Sequence, residues 1–151
     1  MRFIKGEAMK FYAKKFGELT NTEVYEILKS RMEVFLLEQK IVCLDTDDMD
    51  YESLHCFYKE EGRVVAYLRA FEKEEGIVKV GRVLTLEHGN GLGRKLMENS
   101  FAEIIKTFGC RKIVVDAQKQ AEGFYAKLGF ETVSGEFLEE GVFHVEMEKE
   151  I

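Results

Sequence analysis

A glycine-rich loop is the part of the sequence best suited to bind an anion. It runs through His88, Gly89, Asn90, Gly91, Leu92 and Gly93. A strand-like apolar stretch ending at Leu86 precedes the loop, and apolar residues at three- and four-residue spacing follow it as far as Phe108, which indicates an amphipathic helix. The first amide groups of such a helix lack partners, and glycines let a ligand approach the backbone. Together with the helix dipole, this arrangement predicts a site for a phosphate group.

An acidic segment is the second candidate for chemistry. Its carboxylates do not match an EF-hand, because a calcium loop starting at Asp45 would need Gly at Asp50 and Glu at Cys56. We therefore interpret the segment as a solvated loop that attracts a cationic substrate. Its members are Asp45, Asp47, Asp48, Asp50 and Glu52. The cysteines and histidines lack the spacing of zinc ligands, so we expect no metal site.

Composition limits the class of protein. The chain has 151 residues, of which 46% are hydrophobic, and this suits a single domain over residues 1–151. A formal charge of −6 and no basic block argue against a nucleic-acid partner. The scattered cysteines, Cys43, Cys56 and Cys110, indicate reduced thiols and a cytoplasmic location. Residues 1–7 contain no apolar run typical of a signal peptide, and no later stretch is apolar enough to span a membrane.

The first half of the chain must supply elements that surround the loop. Residues 10–16 alternate like a strand. Thr20 and Glu23 form a capping-box pattern that begins a helix, and this helix should end or break before Gln39. Two antiparallel strands are predicted next, at residues 54–59 and 63–71, with a further turn at residues 72–76.

The second half predicts a parallel pair of strands at the centre of the fold. An apolar strand at residues 112–118 follows the central strand and helix, so the three form a right-handed βαβ unit. A short helix at residues 122–128 ends at Gly129, and the tail alternates like closing strands. The predicted class is therefore α+β, a largely antiparallel sheet with one parallel pair in its middle.

Two motifs resemble those of the GNAT acetyltransferases. The loop at residues 88–93 is similar to the Arg/Gln-x-x-Gly-x-Gly/Ala loop that binds the pyrophosphate of acyl-CoA, and residues 124–130 resemble the Phe-Tyr-x-x-x-Gly-Phe signature. Further stretches resemble the ElaA-like branch over nearly the whole chain and in the same order. These are Glu33-Val34-Phe35 with Glu38-Gln39, the Asp45/Asp47 loop before His55, Gly81-Arg82-Val83, Ala117-Gln118, and Phe137 through His144 to Met147.

The resemblance implies the GNAT fold, an α/β/α sandwich. Its twisted, mostly antiparallel sheet has a central pair of parallel strands that splay apart, with helices on both faces. The implied cofactor is acetyl-CoA, held by strand backbone and by the glycine loop. The residues implied to bind it are Val83, Leu84, Thr85, His88, Gly89, Asn90, Gly91, Leu92, Gly93 and Arg94.

The loop departs from the family pattern at His88. The family usually has Arg or Gln there, and the link from Thr85 to the loop is shorter than usual. A histidine with a reference pKa of about 6.5 is mostly neutral near pH 7, so it should contribute less than arginine to phosphate binding. We expect CoA binding to be retained, with Arg94 and Lys95 supplying nearby charge.

The implied activity is direct transfer of an acetyl group to the amine of a small molecule or peptide. Tyr125 stands at the position of the family's general acid, and a neutral phenol suits that task. The amine must also lose a proton, and either Glu38 or His55 could be the base; the sequence does not choose between them. Taken singly, His55 and His144 are more typical of structural hydrogen-bonding residues.

Two alternatives and two unknowns accompany this prediction. His88 would fit a non-catalytic acyl-CoA-binding regulatory domain, although an intact Tyr125 does not favour that reading. A nucleotide-binding enzyme is disfavoured because no Gly-Lys-Ser/Thr follows the glycines. The acceptor and the oligomeric state stay open, but the apolar segment at residues 137–143 would allow a homodimer through the late strands.

Overall fold

A computed structural model describes residues 8–151 of the chain; residues 1–7, where no signal-peptide pattern was found, lie outside the described part. Eight strands are described, β1 (Lys10–Lys15), β2 (Leu54–Glu60), β3 (Arg63–Glu74), β4 (Ile77–Thr85), β5 (Lys112–Gln118), β6 (Glu131–Thr132), β7 (Phe137–Glu139) and β8 (Val142–Glu150). The helices are α1 (Asn21–Arg31), α2 (Leu92–Phe108) and α3 (Glu122–Lys127). No helix within residues 8–151 has the length and apolar character needed to cross a membrane.

The strands form one mixed sheet. Its order is β1-β2-β3-β4-β5-β8-β6, and β7 pairs with β8. Only the β4–β5 pair is parallel among the described strands. The predicted α+β class with a central parallel pair is thereby confirmed. Strand β3 runs to Glu74, beyond its predicted end at Phe71, because Glu72 still pairs with Val78 of β4.

Helices cover both faces of the sheet, as the GNAT resemblance implied. On one face, α2 contributes Leu96 and Ile104 to a core that contains Val78 and Val80. On the other face, α1 and its continuation pack against side chains of β2, β3 and β4. This second core consists of Ile27, Val34, Phe57, Val64, Tyr67 and Leu84.

Helix α1 begins at the predicted capping box. The Thr20 hydroxyl accepts a hydrogen bond from the Glu23 amide at 3.0 Å, and the Glu23 carboxylate accepts one from the Thr20 amide at 2.9 Å. The same carboxylate, 2% exposed, also pairs with Lys14 and Lys59. Burial alone would raise the pKa of Glu23, but these hydrogen bonds outweigh it and lower the pKa to about 2.

Beyond Arg31 the helix continues as a π-helix over Met32–Glu38, and it ends before Gln39 as predicted. Its last bond, from the amide of Gln39 to the carbonyl of Val34, spans five residues and measures 2.9 Å. π-helical turns are rare in proteins, and those that occur often lie at functional sites. Here the π-helix brings Glu38 beside the glycine loop.

The two parallel strands separate halfway along their length. Their pairing ends at Val80↔Val115, so β4 from Gly81 onward has no partner on the β5 side. On the other side of β4, the register with β3 shifts between Tyr67 and Arg69, and Arg82 adopts a positive φ of 53°. The predicted splay of the central strands is therefore present, with a bulge in β4 where the splay begins.

Candidate active site

A cavity of about 860 Å³ opens where β4 and β5 diverge. Residues predicted from the sequence to bind the cofactor lie on its walls, namely Val83, Leu84, Thr85, His88 and Gly93. The predicted acid, Tyr125, lies on the same walls. Residues far apart in the chain thus share one space because the splay leaves it open between β4, β5 and the start of α2.

The glycine loop forms an open approach to the N-terminus of α2. Gly91 caps the helix with a φ of +77°, and Gly89 has a φ of +78°; both values favour glycine. A Cβ atom built at either position would meet nothing within 4 Å, so the space above the loop is free. Asn90 accepts a hydrogen bond from the Leu92 amide, and no acidic residue occupies the first turn of the helix. The next amides of α2 are therefore available to an anion.

His88, which lines the cavity, forms a pair with Glu38. The Nε2 atom of His88 lies 2.5 Å from Oε1 of Glu38, and its Nδ1 lies 3.3 Å from the Thr85 hydroxyl. Both side chains are about half exposed, and an ion pair in such a position stabilises a protein by at most about 1 kcal/mol. His88, predicted to contact phosphate, and Glu38, one of the two predicted bases, are thus hydrogen-bonded to each other.

His55, the other predicted base, is not among the residues that line the cavity. It is 2% exposed on β2. One ring nitrogen bonds the Tyr67 hydroxyl at 2.7 Å and the other bonds the carbonyl of Asp50 at 2.9 Å. Burial lowers the pKa of His55, which keeps the ring neutral in a structural network.

Tyr125 projects from α3 and packs between two aromatic rings. Its ring meets those of Phe124 and Phe130 edge-on, with centroids 5.1 and 5.7 Å apart. The residue is 6% exposed, and this burial raises the pKa of its phenol above the ordinary value. Tyr125 therefore stays protonated near pH 7 and is able to donate.

The acidic loop is not the solvated, cation-attracting segment that the sequence suggested, because buried arginines pair with its carboxylates. Arg31, which is fully buried, bonds Asp45 and Asp50 at 2.7 Å each. Arg69 holds Asp47 through two bonds of 2.7 and 2.6 Å. The hydrogen bond from Arg69 outweighs partial burial and lowers the pKa of Asp47 to about 2. These carboxylates stiffen one wall of the cavity, and arginines already balance their charge.

Two further residues on the cavity walls, Gln118 and His144, were not assigned a role in the site from the sequence. Gln118 at the end of β5 donates a 2.8 Å hydrogen bond to Gln39 at the end of the π-helix. His144 on β8 is 9% exposed and lines the same cavity. The alternating pattern of β8 indicates which residues share a face with His144. The neighbouring sequence does not indicate that this face borders the gap between β4 and β5.

The site fits an acyl-CoA on structural grounds. The open loop at the helix N-terminus suits a pyrophosphate, and the unpaired side of β4 suits an extended arm with amide groups. Arg94 and Lys95 follow the loop directly. Within residues 8–151, no group of three or more His, Cys, Asp or Glu side chains is arranged to hold a metal ion.

Comparisons with known proteins agree with this geometry. A model of the acetyltransferase (GNAT) domain family matches residues 18–151. A UPF0039 protein of Schizosaccharomyces pombe is 34% identical over 147 residues, which cover 95% of this chain and 98% of that protein. An acyl-CoA N-acyltransferase from Pseudomonas aeruginosa has a similar crystal structure, with a TM-score of 0.87, 30% identity, and coverage of 94% of this chain and 99% of that one. The crystal structure of Escherichia coli ElaA gives a TM-score of 0.88 at 26% identity, covering 95% of this chain and 100% of that one.

Proposed function

Because the chain belongs to the GNAT family of acetyltransferases, we propose that it transfers an acetyl group to the amine of a small molecule or peptide. The transfer is direct, in a complex that holds donor and acceptor together. The observation that carries this proposal is the gap between β4 and β5, since it joins the glycine loop and Tyr125 in one cavity. Holding both reactants in place supplies several kcal/mol of the barrier.

Acetyl-CoA is the acyl donor, and when bound it supplies the acetyl thioester. The amides of Gly91, Gly93 and Arg94, at the start of α2, bind its pyrophosphate. The free backbone groups of β4, from Val83 to Thr85, bind its pantetheine arm. Glycines at 89 and 91 keep the approach clear of side chains.

Tyr125 acts as the general acid. Its Oη atom carries the proton that the sulfur of the leaving group requires, and burial keeps that proton in place near pH 7. The hydroxyl has no hydrogen-bond partner among the side chains that the structure describes, so it is free to face the reacting atoms.

Glu38 orients His88 at the phosphate end of the cavity. The carboxylate holds one ring nitrogen of His88, and the ring thereby stays beside the glycine loop. The non-catalytic CoA-binding alternative rests on His88 itself, which stands where the family usually has Arg or Gln. The Glu38 carboxylate places a negative charge next to the phosphate site and does not add support to that alternative. Retention of Tyr125 in the cavity favours the enzyme.

The acceptor is a member of a broad class of amines. A small amine or a peptide amine would reach the gap from the face that carries Gln118 and His144. Exposed apolar side chains on β7 and β8, Leu138 and Phe143, support a homodimer through these strands. Free thiols at Cys43, Cys56 and Cys110 agree with a cytoplasmic location.

A thermal-shift titration with acetyl-CoA, beside ATP and NAD, tests the donor. A ligand at a hundredfold excess over its Kd stabilises the folded state by about 2.7 kcal/mol, which is easily measured. A shift with acetyl-CoA alone, followed by CoA release with an amine, supports the proposal. A shift without release under any amine supports the regulatory alternative. The released thiol should be measured after the protein is removed, because Cys43 is exposed.

A further inference from the structure

We propose that His144 is the base that takes the proton from the acceptor, and that the acceptor is a primary amine that binds as an ammonium ion. This inference rests on the proposed function. It assigns the base, for which the sequence offered Glu38 and His55. The structure engages Glu38 with His88 and buries both ring nitrogens of His55 in hydrogen bonds, so a different group is needed.

The hydrogen bonding of His144 fixes which ring nitrogen is basic. Its Nδ1 atom lies 2.8 Å from the carbonyl oxygen of Val142. A carbonyl oxygen only accepts hydrogen bonds, so Nδ1 must carry a hydrogen and donate it. In the neutral ring, Nε2 then holds the free lone pair. No residue in the range 8–151 donates to Nε2, and that atom is not sealed in the core.

The surroundings hold the ring toward the cavity. Phe137 of β7 stacks on it, with ring centroids 5.8 Å apart and planes inclined by 22°. His144 also pairs in the sheet with Gln118, the last residue of β5. His144 therefore lies beside the part of β5 that has already separated from β4. His144 and Gln118 both line the cavity.

The charges on the cavity walls favour an ammonium acceptor. Most of the charged residues there are paired, as Lys79 is with Asp116 and Arg82 is with Asp45. Glu139 at the end of β7 and Glu140 in the turn that follows line the cavity, and neither forms an ion pair with a described residue. The unpaired charge that these two residues add to the cavity walls is negative, which attracts a cation.

The proton and electron balance is complete with the groups present. One N–H bond of the ammonium breaks and an Nε2–H bond forms on His144. The freed lone pair bonds the acetyl carbon as the carbon–sulfur bond breaks, and the Tyr125 hydroxyl gives its proton to sulfur. The second proton of the acceptor nitrogen restores Tyr125, and His144 releases its proton to water. One ammonium and one thioester thus yield one amide, one thiol and one proton.

Substitutions at His144 test the assignment. His144→Asn keeps a donor for the Val142 carbonyl but has no basic nitrogen, and His144→Gln serves as a second variant with a different reach. Glu146→Gln, two residues along the same strand and away from the cavity walls, is the matched control. The assay measures CoA release with a panel of primary amines that includes N-blocked lysine, from pH 6 to pH 9, beside the thermal shift given by acetyl-CoA.

The pH dependence distinguishes a base from a structural residue. General bases contribute about 10²- to 10⁴-fold, so kcat/KM for the amine should fall by that factor at pH 7. Without the base, the variants can use only the fraction of the amine that is already unprotonated in solution. That fraction rises about tenfold per pH unit up to the lysine pKa of about 10.4, so the difference in kcat/KM from wild type should shrink by the same factor. The shift with acetyl-CoA should not change. The other ionisable side chains that face the cavity include Glu139, Glu140, Asp116, His88 and Tyr125, and they are the same in all variants.

Each remaining outcome overturns a specific statement. A loss of equal size at every pH, or no loss in either variant, excludes His144 as the base while the proposed function stands. Wild-type protein that binds acetyl-CoA but acetylates no amine in the panel overturns the proposed function, and the inference with it.

Discussion

Replacing Tyr125 by Phe should separate activity from stability. The substitution removes one oxygen and leaves the ring, so the contacts with Phe124 and Phe130 remain. Because the hydroxyl has no hydrogen-bond partner among the described residues, the free energy of unfolding should change by less than about 1 kcal/mol. For a chain of this length, that corresponds to a shift in Tm of less than about 4 °C.

The effect on turnover should be much larger. A positioned acid contributes about 10²- to 10⁴-fold, or roughly 3 to 5 kcal/mol of barrier. Tyr125→Phe should therefore lower kcat by that factor and leave the Kd of acetyl-CoA unchanged. Burial raises the pKa of the phenol, and the acid form is the active one, so wild-type activity should not decline up to about pH 10 through loss of this proton.

Steady-state CoA release and a thermal-shift titration on the same samples provide the test. Ala126→Gly, in the same helix, serves as a control for small losses of helix stability. If Tyr125→Phe turns over at the wild-type rate, Tyr125 is not the acid and the cavity must use water for that step. If the Tm falls by 10 °C or more, the hydroxyl has a structural role that the contacts do not explain.

Three further predictions concern the framework of the site. Glu23→Gln should lower the free energy of unfolding at pH 7 by up to about 3 kcal/mol, because folding lowers the pKa of Glu23 from 4.5 to about 2. In urea titrations, the difference in stability from wild type should disappear as the pH falls from 4.5 to about 2. Arg31→Met should cost about 3 to 5 kcal/mol in denaturant unfolding, because it leaves buried carboxylate charge without its partner, and adding Asp50→Asn should restore part of the loss. Gly91→Ala and Gly109→Ala impose similar strain at the two ends of α2, where both glycines have positive φ, so they should lower Tm alike. Only the first should weaken acetyl-CoA binding by tenfold or more, and equal affinities would place the phosphate elsewhere.

Local patterns were sufficient for the elements that begin and end with strong sequence signals. Helix α2 and strand β5 have the predicted bounds, because glycines flank the helix and apolar residues fill the strand. The capping box at Thr20 formed as predicted. These features depend on residues within one or two turns of each other, which is the range over which sequence patterns are informative.

Features that depend on distant partners could not be read in this way. The carboxylates of the acidic loop look solvated in the sequence because Arg31 and Arg69 are 14 to 22 residues away. Glu38 and His88 are separated by 50 positions. The π-helix that brings Glu38 to the loop has the apolar spacing of an ordinary helix, so its wider turn leaves no local trace. The burial of His55 likewise follows from β2 being an interior strand.

The splay between β4 and β5 also divides the sheet into two groups of four strands that few strand-pairing hydrogen bonds connect. Within the described sheet, strand pairing joins β5, β8, β6 and β7 to the other four strands only over the four residue pairs from Ile77↔Lys112 to Val80↔Val115. Amides on both sides of such a seam open to hydrogen exchange without global unfolding. We expect an extended ligand to pair with the free side of β4 as an additional strand. Its binding should then slow hydrogen exchange on both sides of the gap, including in strands that the ligand does not touch.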